Sequence, residues 1–373
     1  MVAGVLNLDR ELFLAEYWQR KPLLIPSALS DFEVPVSADE LAGLALEDEV
    51  ESRIVEQHEG QWRLQHGPFT PEDFDRTIPW TLLVQAVDHY IPEVAALRHL
   101  IDFIPQWRVD DVMVSYAVDG GSVGPHYDNY DVFLLQGEGQ RLWKLGQSCD
   151  SKSATLPHDS LRILTEFDTA QEFLLNPGDI LYVPPGIAHW GIAKGECTTF
   201  SIGFRAPRIN DMLSRWADAT LEQLDPELFY TDPTFLKDAI RPGEISRQER
   251  DQVRGILLSA LNKLDAENWF GELVTEHRLP LIDERDDVSS AFESGGTLYR
   301  VAEAKLAWQE DEGGITVFSN GESLHFHLKV LDQLVKLCET WQIEDQAESQ
   351  ALPNTEARRL VDFLQRTGAI YAP

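Results

Sequence analysis

Three residues of this 373-residue chain have the types and spacing to hold a divalent metal: His126, Asp128 and His189. The first two sit in Gly-Pro-His126-Tyr-Asp128, the third in Pro184-Pro-Gly-Ile-Ala-His189-Trp. Residues i and i+2 of an extended segment point to one side, so His126 and Asp128 can reach one point. His189 lies 63 positions later and must arrive on another strand. Two neutral imidazoles and one carboxylate occupy one face of an octahedron and leave three positions open, an arrangement suited to Fe(II) chemistry with a chelating co-substrate and O2. The ligand set carries a single negative charge, so the iron site stays cationic and welcomes an anionic chelator. The flanks agree. Gly120-Gly-Ser-Val-Gly-Pro frees the backbone before His126, and Asn176-Pro-Gly-Asp-Ile-Leu-Tyr-Val-Pro-Pro-Gly reads as a strand bounded by turns.

The elements that must position these residues are short strands. Asp111–Val118, Tyr130–Gln136, Arg141–Leu145, Glu172–Leu175, Asp179–Val183, Trp190–Ala193 and Thr198–Arg205 alternate with Gly/Pro turns, which predicts a barrel or double-sheet jelly roll. Before them, Leu8–Gln19 reads as a helix with Asp9 as its N-cap, and Ser37 opens a capping box. Ser52 to Gln65 reads as a hairpin, and Thr81–His89 and Glu93–Phe103 as helices. After Ala206-Pro207 the pattern turns helical: Asn210–Leu224, Ser246–Leu264 and Glu267–Glu276. The remainder mixes the strands Thr297–Val301, Ile315–Phe318 and Leu324–Leu328 with the helices Val330–Thr340 and Thr355–Arg366, a small α+β module compatible with a winged helix. The division expected is 1–207, 208–276 and 277–373. The helical segment is apolar on more than one face, as a homodimerisation element would be.

Bulk composition limits the partners. Asp plus Glu outnumber Lys plus Arg by 63 to 31, for a net charge of −32. Such a surface repels nucleic acid and anionic membranes and attracts basic proteins. From Glu276 onward there are nine Lys/Arg against eighteen Asp/Glu, so the winged-helix-like module is a poor phosphate binder. Cys149, Cys197 and Cys338 are scattered and form no CxxC, which suits a reducing compartment. The beginning of the chain shows neither a signal peptide nor a membrane span, so the expected location is the cytoplasm. His325-Phe-His327 is flanked by Leu on both sides and reads as packing, His158 as a loop residue. No GxGxxG, P-loop or GxSxG occurs.

The stretches GPHYDNYDVFLLQGEGQRLWKLG, PGDILYVPPGIAHWG and FSIGFRAP resemble the JmjC-type, cupin-fold Fe(II)/2-oxoglutarate oxygenases. The whole chain resembles, in order, the bacterial ribosomal oxygenases that hydroxylate arginine in a large-subunit ribosomal protein. The resemblance implies an α+β chain: a double-stranded β-helix, a helical dimerisation segment and a winged-helix-like domain. It implies iron at His126, Asp128 and His189, with 2-oxoglutarate as co-substrate. The distal carboxylate of 2-oxoglutarate needs a buried cation. Arg141 shares strand parity with Trp143 and Leu145, an apolar inward stripe, whereas Lys144 falls outward. A guanidinium also matches a carboxylate bidentately, and the resemblance places the 2-oxoglutarate arginine at the same Arg141. Ser115 and Thr198 lie on strands expected to line that cavity. Substrate-side candidates near the metal motif are Asp119, Tyr127, Tyr130 and Asp131, acidic and aromatic groups that suit a guanidinium.

The implied reaction is hydroxylation of an arginine side chain, at Cβ, in a basic ribosomal protein. Histidine in a ribosomal protein is the nearest alternative. A metal cupin without oxygenase activity, such as a sugar isomerase, would account for the triad but not for an inward Arg141. A metal-free scaffold on the ribosome would account for neither.

Overall fold

The computed structural model describes residues 6–30, 32–158, 160–231, 243–261, 268–277, 297–343 and 354–372. Eight strands form one large sheet: β1 (Leu23–Ile25), β2 (Ser52–His58), β3 (Gln61–His66), β4 (Trp80–Val84), β5 (Val109–Ala117), β6 (Val132–Gln136), β9 (Ile180–Val183) and β11 (Cys197–Phe204). Their order is β1-β9-β6-β11-β5-β4-β2-β3. A smaller sheet, ordered β10-β7-β8, joins β7 (Gln140–Ser148), β8 (Gln171–Leu175) and β10 (Ile187–Lys194). The two sheets make the double-sheet jelly roll expected from the sequence.

Period-2 alternation sorts the side chains of the large sheet into two cores. Every residue of β6, Val-Phe-Leu-Leu-Gln, is buried, because a central strand with a core on each face has no wet side. Phe133 and Leu135 join the large core with Phe13, Tyr182, Phe200 and Phe204. Val132 and Leu134 turn the other way and pack with Trp143, Leu145, Leu175 and Leu181 between the sheets. Helix α1 (Arg10–Glu16) is capped by Asp9, whose carboxylate accepts from the Leu12 amide, and it drives Phe13 into the large core against Phe103 and Tyr182. Helix α2 (Ala38–Leu44) carries the expected Ser37/Glu40 capping box.

The helix expected over Thr81–His89 is absent. Trp80–Val84 is strand β4, wholly buried between β2 and β5, and only Val87–His89 turns as a 3-10 helix. A short continuous apolar run has no period to separate a buried strand from a buried helix. Glu93–Phe103 is shared between α3 (Pro92–Ala95) and a 3-10 turn at Ala96–Ile101.

Helices α4 (Ile209–Leu221), α5 (Arg247–Leu261) and α6 (Trp269–Thr275) follow; Ser246 sits just ahead of α5, and residues 262–264 of the expected Ser246–Leu264 helix, with Glu267, lie outside the described residues. The C-terminal module has two three-stranded sheets. One joins β13 (Leu306–Asp311), β14 (Gly314–Ser319) and β15 (Glu322–Phe326); the other joins β12 (Leu298–Arg300), β16 (Gln342–Ile343) and β17 (Ile370–Tyr371). With α7 (Leu331–Thr340) and α8 (Asn354–Arg366) they enclose their own core around Phe326, Leu334, Leu337 and Leu364. Strand β13 begins at Leu306, directly after Lys305, and is a strand that the sequence reading does not predict.

Candidate active site

His126 and His189 face each other as a cross-strand pair. The amide of each donates to the carbonyl of the other, at 3.0 and 2.8 Å. The Asp128 carbonyl accepts from Gly186 at 2.7 Å, so the His-Tyr-Asp segment runs beside the end of β10. This pairing, rather than proximity in sequence, brings the three side chains together. Their ligand atoms lie within 4.8 Å of one another. His189 Nε2 is 3.6 Å from Asp128 Oδ2, and His126 Nε2 is 4.0 Å from it.

Both imidazoles are oriented by the same device. His126 Nδ1 meets the Gly124 carbonyl at 2.9 Å and His189 Nδ1 meets the Ile187 carbonyl at 3.0 Å. A carbonyl only accepts, so each Nδ1 carries the proton and each Nε2 keeps a lone pair toward Asp128. Burial, and next the neighbouring His126, lower the His189 pKa to about 4, which keeps its ring neutral near pH 7. Gly124 makes the approach possible: its φ is +84°, and a Cβ there would lie 2.6 Å from Ile163 and 3.0 Å from Trp62.

Arg141 lies 5% exposed beyond the triad, on β7. Its Nε donates to Cys197 Sγ at 3.5 Å and its Nη1 to Ser115 Oγ at 3.3 Å, while Nη2 has no hydrogen-bond partner among the described residues. A buried cation with an unused donor is a site for an anion. Trp143, two residues on, is buried beside it; Lys144 points outward to Glu172 at 3.1 Å.

One cavity of about 500 Å³ takes in the triad, Arg141, Ser115, Trp143, Tyr127 and Tyr130. Its other wall is formed by Asp111, Met113, Ser201 and Gly203, with Arg53, His66 and Gln85 further out. Three donor groups for a cation and, at the far end, a free guanidinium donor together fit a divalent metal and a dicarboxylate that chelates it.

A JmjC-domain model matches residues 96–212, and a ROXA-like winged-helix model matches residues 258–363. The chain is 37% identical over 338 residues to the ribosomal protein uL16 3-hydroxylase of Escherichia coli, covering 88% of this chain and 89% of that protein. The chain belongs to the JmjC ribosomal oxygenase family. A probable ribosomal oxygenase of Haemophilus influenzae is 34% identical over 337 residues, 85% of this chain and 82% of that one. The structure of the Escherichia coli ribosomal oxygenase YcfD in complex with cobalt and 2-oxoglutarate superposes with a TM-score of 0.84 at 33% identity, covering 99% of each chain. An AraC-like ligand-binding-domain model also matches residues 168–279. As a member of this family, the protein is an oxygenase.

Three of the residues singled out from the sequence of this ribosomal oxygenase homologue are placed elsewhere. Thr198 is paired with Tyr116, and its hydroxyl accepts from the Glu138 amide at 2.7 Å in the turn before β7. Ser115 is paired with Thr199, so Thr198 has the opposite parity and points away from the cavity. Asp119 holds the turn after β10 by accepting from the Gly195 amide at 2.8 Å. Asp131 is fully buried behind the sheet, accepting from Tyr182 at 2.6 Å and Gln19 at 3.1 Å beside Arg108. Tyr127 lines the cavity while its phenol donates to the Asp150 carbonyl at 2.6 Å. Tyr130 also lines it; the Asp128 carboxylate, and next burial, push its phenol up, so it stays a donor. Asp111 and Ser201 were missed, although Asp111 and Met113 share strand parity with Ser115. Arg53 and His66 left no signal, because they reach the cavity only through the pairing of β3 with β2 and of β2 with β4.

Proposed function

We propose that this protein hydroxylates the β-carbon of an arginine side chain in ribosomal protein uL16, using Fe(II), O2 and 2-oxoglutarate. The unused Nη2 of buried Arg141, across the cavity from the converged triad, carries the reading. His126 Nε2, His189 Nε2 and the Asp128 carboxylate would hold the iron. Arg141 would take the distal carboxylate of 2-oxoglutarate, with Ser115 holding the guanidinium and able to share the anion. Bound iron and 2-oxoglutarate supply the oxidising power, with succinate and CO2 as by-products. The chain itself contributes position and exclusion of water.

Asp111 supports arginine as the target. Its Oδ2 already accepts from Gln85 at 2.6 Å and from the Ala86 amide at 3.0 Å. Its Oδ1 borders Gly203, where a Cβ would stand 3.7 Å away. That oxygen is the acceptor offered to a guanidinium, and Tyr130 offers it an aromatic face. A neutral histidine could donate one hydrogen bond but would leave the carboxylate's charge uncompensated, so the geometry favours arginine. The surface charge of −32 favours a basic substrate protein. We also propose a homodimer assembled through 208–276. Ile209, Leu213 and Leu221 on α4, with Val253, Ile256, Leu257 and Leu258 on α5, are exposed apolar residues that a second copy would cover.

The deciding experiment measures succinate formation from 2-oxoglutarate with Fe(II), with and without an arginine-containing uL16 peptide. Peptide-stimulated turnover with a 16-dalton gain on the arginine, about one oxygen atom, is expected. Absence of stimulation by uL16 peptides overturns the reading; oxygen on a histidine instead moves the target.

A further inference from the structure

Lys305 lies in the C-terminal module, yet it reaches the active-site strand. It is 6% exposed, and its Nζ donates to the carbonyls of Val109, at 2.8 Å, and Asp110. Those two carbonyls immediately precede Asp111. We propose that Lys305 is a positioning residue for the substrate subsite, which makes the winged-helix module a working part of substrate recognition. The proposal rests on the assignment of Asp111 as the guanidinium acceptor.

The strand needs such support at this point. The pairing of β4 with β5 ends at Val84↔Val114, short of Asp111. The pairing of β11 with β5 passes from Ile202↔Val112 to Phe204↔Val109, so Asp110 and Asp111 together oppose the single residue Gly203. That is a β-bulge, which breaks the ladder and re-aims side chains. An ammonium gripping two successive carbonyls fixes the bulge where the ladder does not. A second tie reaches the same segment: the Val112 amide donates to Asp88 at 2.8 Å, Asp88 pairs with Arg98 at 3.2 Å, and Arg98 donates to the Ala302 carbonyl at 2.7 Å. Lys305 is itself anchored, its amide donating to Asn320 Oδ1 at 2.8 Å.

A buried ammonium is costly. Burial is the chief cause that lowers the Lys305 pKa to about 7. A cation that only glued two domains would serve as well at their rim. This one is spent on the backbone that aims Asp111.

The test is peptide binding by calorimetry to the full-length protein loaded with Mn(II) and 2-oxoglutarate. The probes are an arginine-containing uL16 peptide and its citrulline counterpart, which is neutral and nearly isosteric. Wild type is expected to prefer the arginine peptide. Lys305→Met is expected to cut that preference about tenfold, the scale of a charged hydrogen bond, with the affinity for 2-oxoglutarate unchanged. In an Asp111→Asn background the same change is expected to have no further effect. Equal weakening of both peptides, or additive effects in the double variant, overturns the proposal. If Asp111→Asn alone leaves the preference intact, the Asp111 assignment fails; if only Lys305→Met leaves it intact, that assignment stands and the role of Lys305 fails. Should Lys305→Met not fold, Lys305→Arg keeps the charge but places its donors differently and is expected to lower the preference by a smaller factor. An unchanged preference there is equally adverse.

Discussion

At the scale of single residues, the site separates groups by what they can still bind. Each imidazole has one nitrogen committed to a backbone carbonyl and one left over. Arg141 has two nitrogens committed and one left over. Asp128→Ala is therefore expected to abolish peptide-dependent succinate formation, and metal titration should show weakened binding; full activity would mean the ligands are misassigned. Arg141→Ala should raise the KM for 2-oxoglutarate by roughly ten- to a hundredfold, the range of charge-assisted hydrogen bonds, and leave metal binding intact. Asp111 adds a pH dependence. Burial, then Asp88 and Asp110, raise its pKa to about 6. Its carboxylate is charged above that value and neutral below it. Affinity for the arginine peptide should therefore be highest between about pH 6 and 7, falling below that window as Asp111 is protonated and above it as Lys305 loses its proton. The fall at low pH should disappear in Asp111→Asn, which removes the titrating carboxyl. The triad and Arg141 could be read from spacing and parity. Thr198 was misjudged because nothing in its own strand sequence says which of two adjacent threonines faces in; its register opposite β5 decides.

At the scale of elements, the metal motif depends on how a loop meets a strand. Gly124 lets the chain pass against Trp62 and Ile163 at φ +84° and still deliver His126 opposite His189. Gly124→Ala should cost at least about 1–2 kcal/mol from the backbone alone, and it should weaken metal binding because the strained segment carries the ligand. Calorimetry of unfolding and metal titration measure the two effects separately. Helix α1 acts from the far side of the sheet. Phe13→Ala removes a fully buried ring touching Phe133 and Tyr182 and should destabilise the fold by about 3–5 kcal/mol, read as a drop in Tm. The caps of α1 and α2 and the hairpin β2–β3 were legible, since each depends on residues close in sequence. Strand β4 was not: its apolar run becomes a strand only because β2 and β5 lie on either side of it.

At the scale of the whole molecule, the surface has two features of consequence, its acidic charge and the exposed apolar faces of α4 and α5. The net charge of −32 should steer a basic substrate. The association rate for the uL16 peptide is expected to fall steeply between low salt and about 0.15 M ionic strength, with a smaller change in dissociation; stopped-flow fluorescence separates the two. The apolar faces of α4 and α5 should be covered by a second copy. Leu213→Asp combined with Leu257→Asp is expected to convert a dimer to a monomer by light scattering, and a monomeric wild type would remove this expectation. Among the described residues, no helix is long and apolar enough to cross a membrane.

What the sequence by itself determined is the local chemistry. It held the donor types, the i and i+2 spacing of His126 and Asp128, the inward parity of Arg141 and the acidic balance, because each is a property of neighbouring residues or of the sum over all. Tertiary structure alone decided which distant groups share the cavity. It seated His189 opposite His126, turned Thr198, Asp119 and Asp131 away, opened the β5 bulge at Asp111 and brought Lys305 to its carbonyls. These follow from strand register and domain docking, which are set by the burial of side chains far apart in the chain and leave no periodic trace in the sequence near the site.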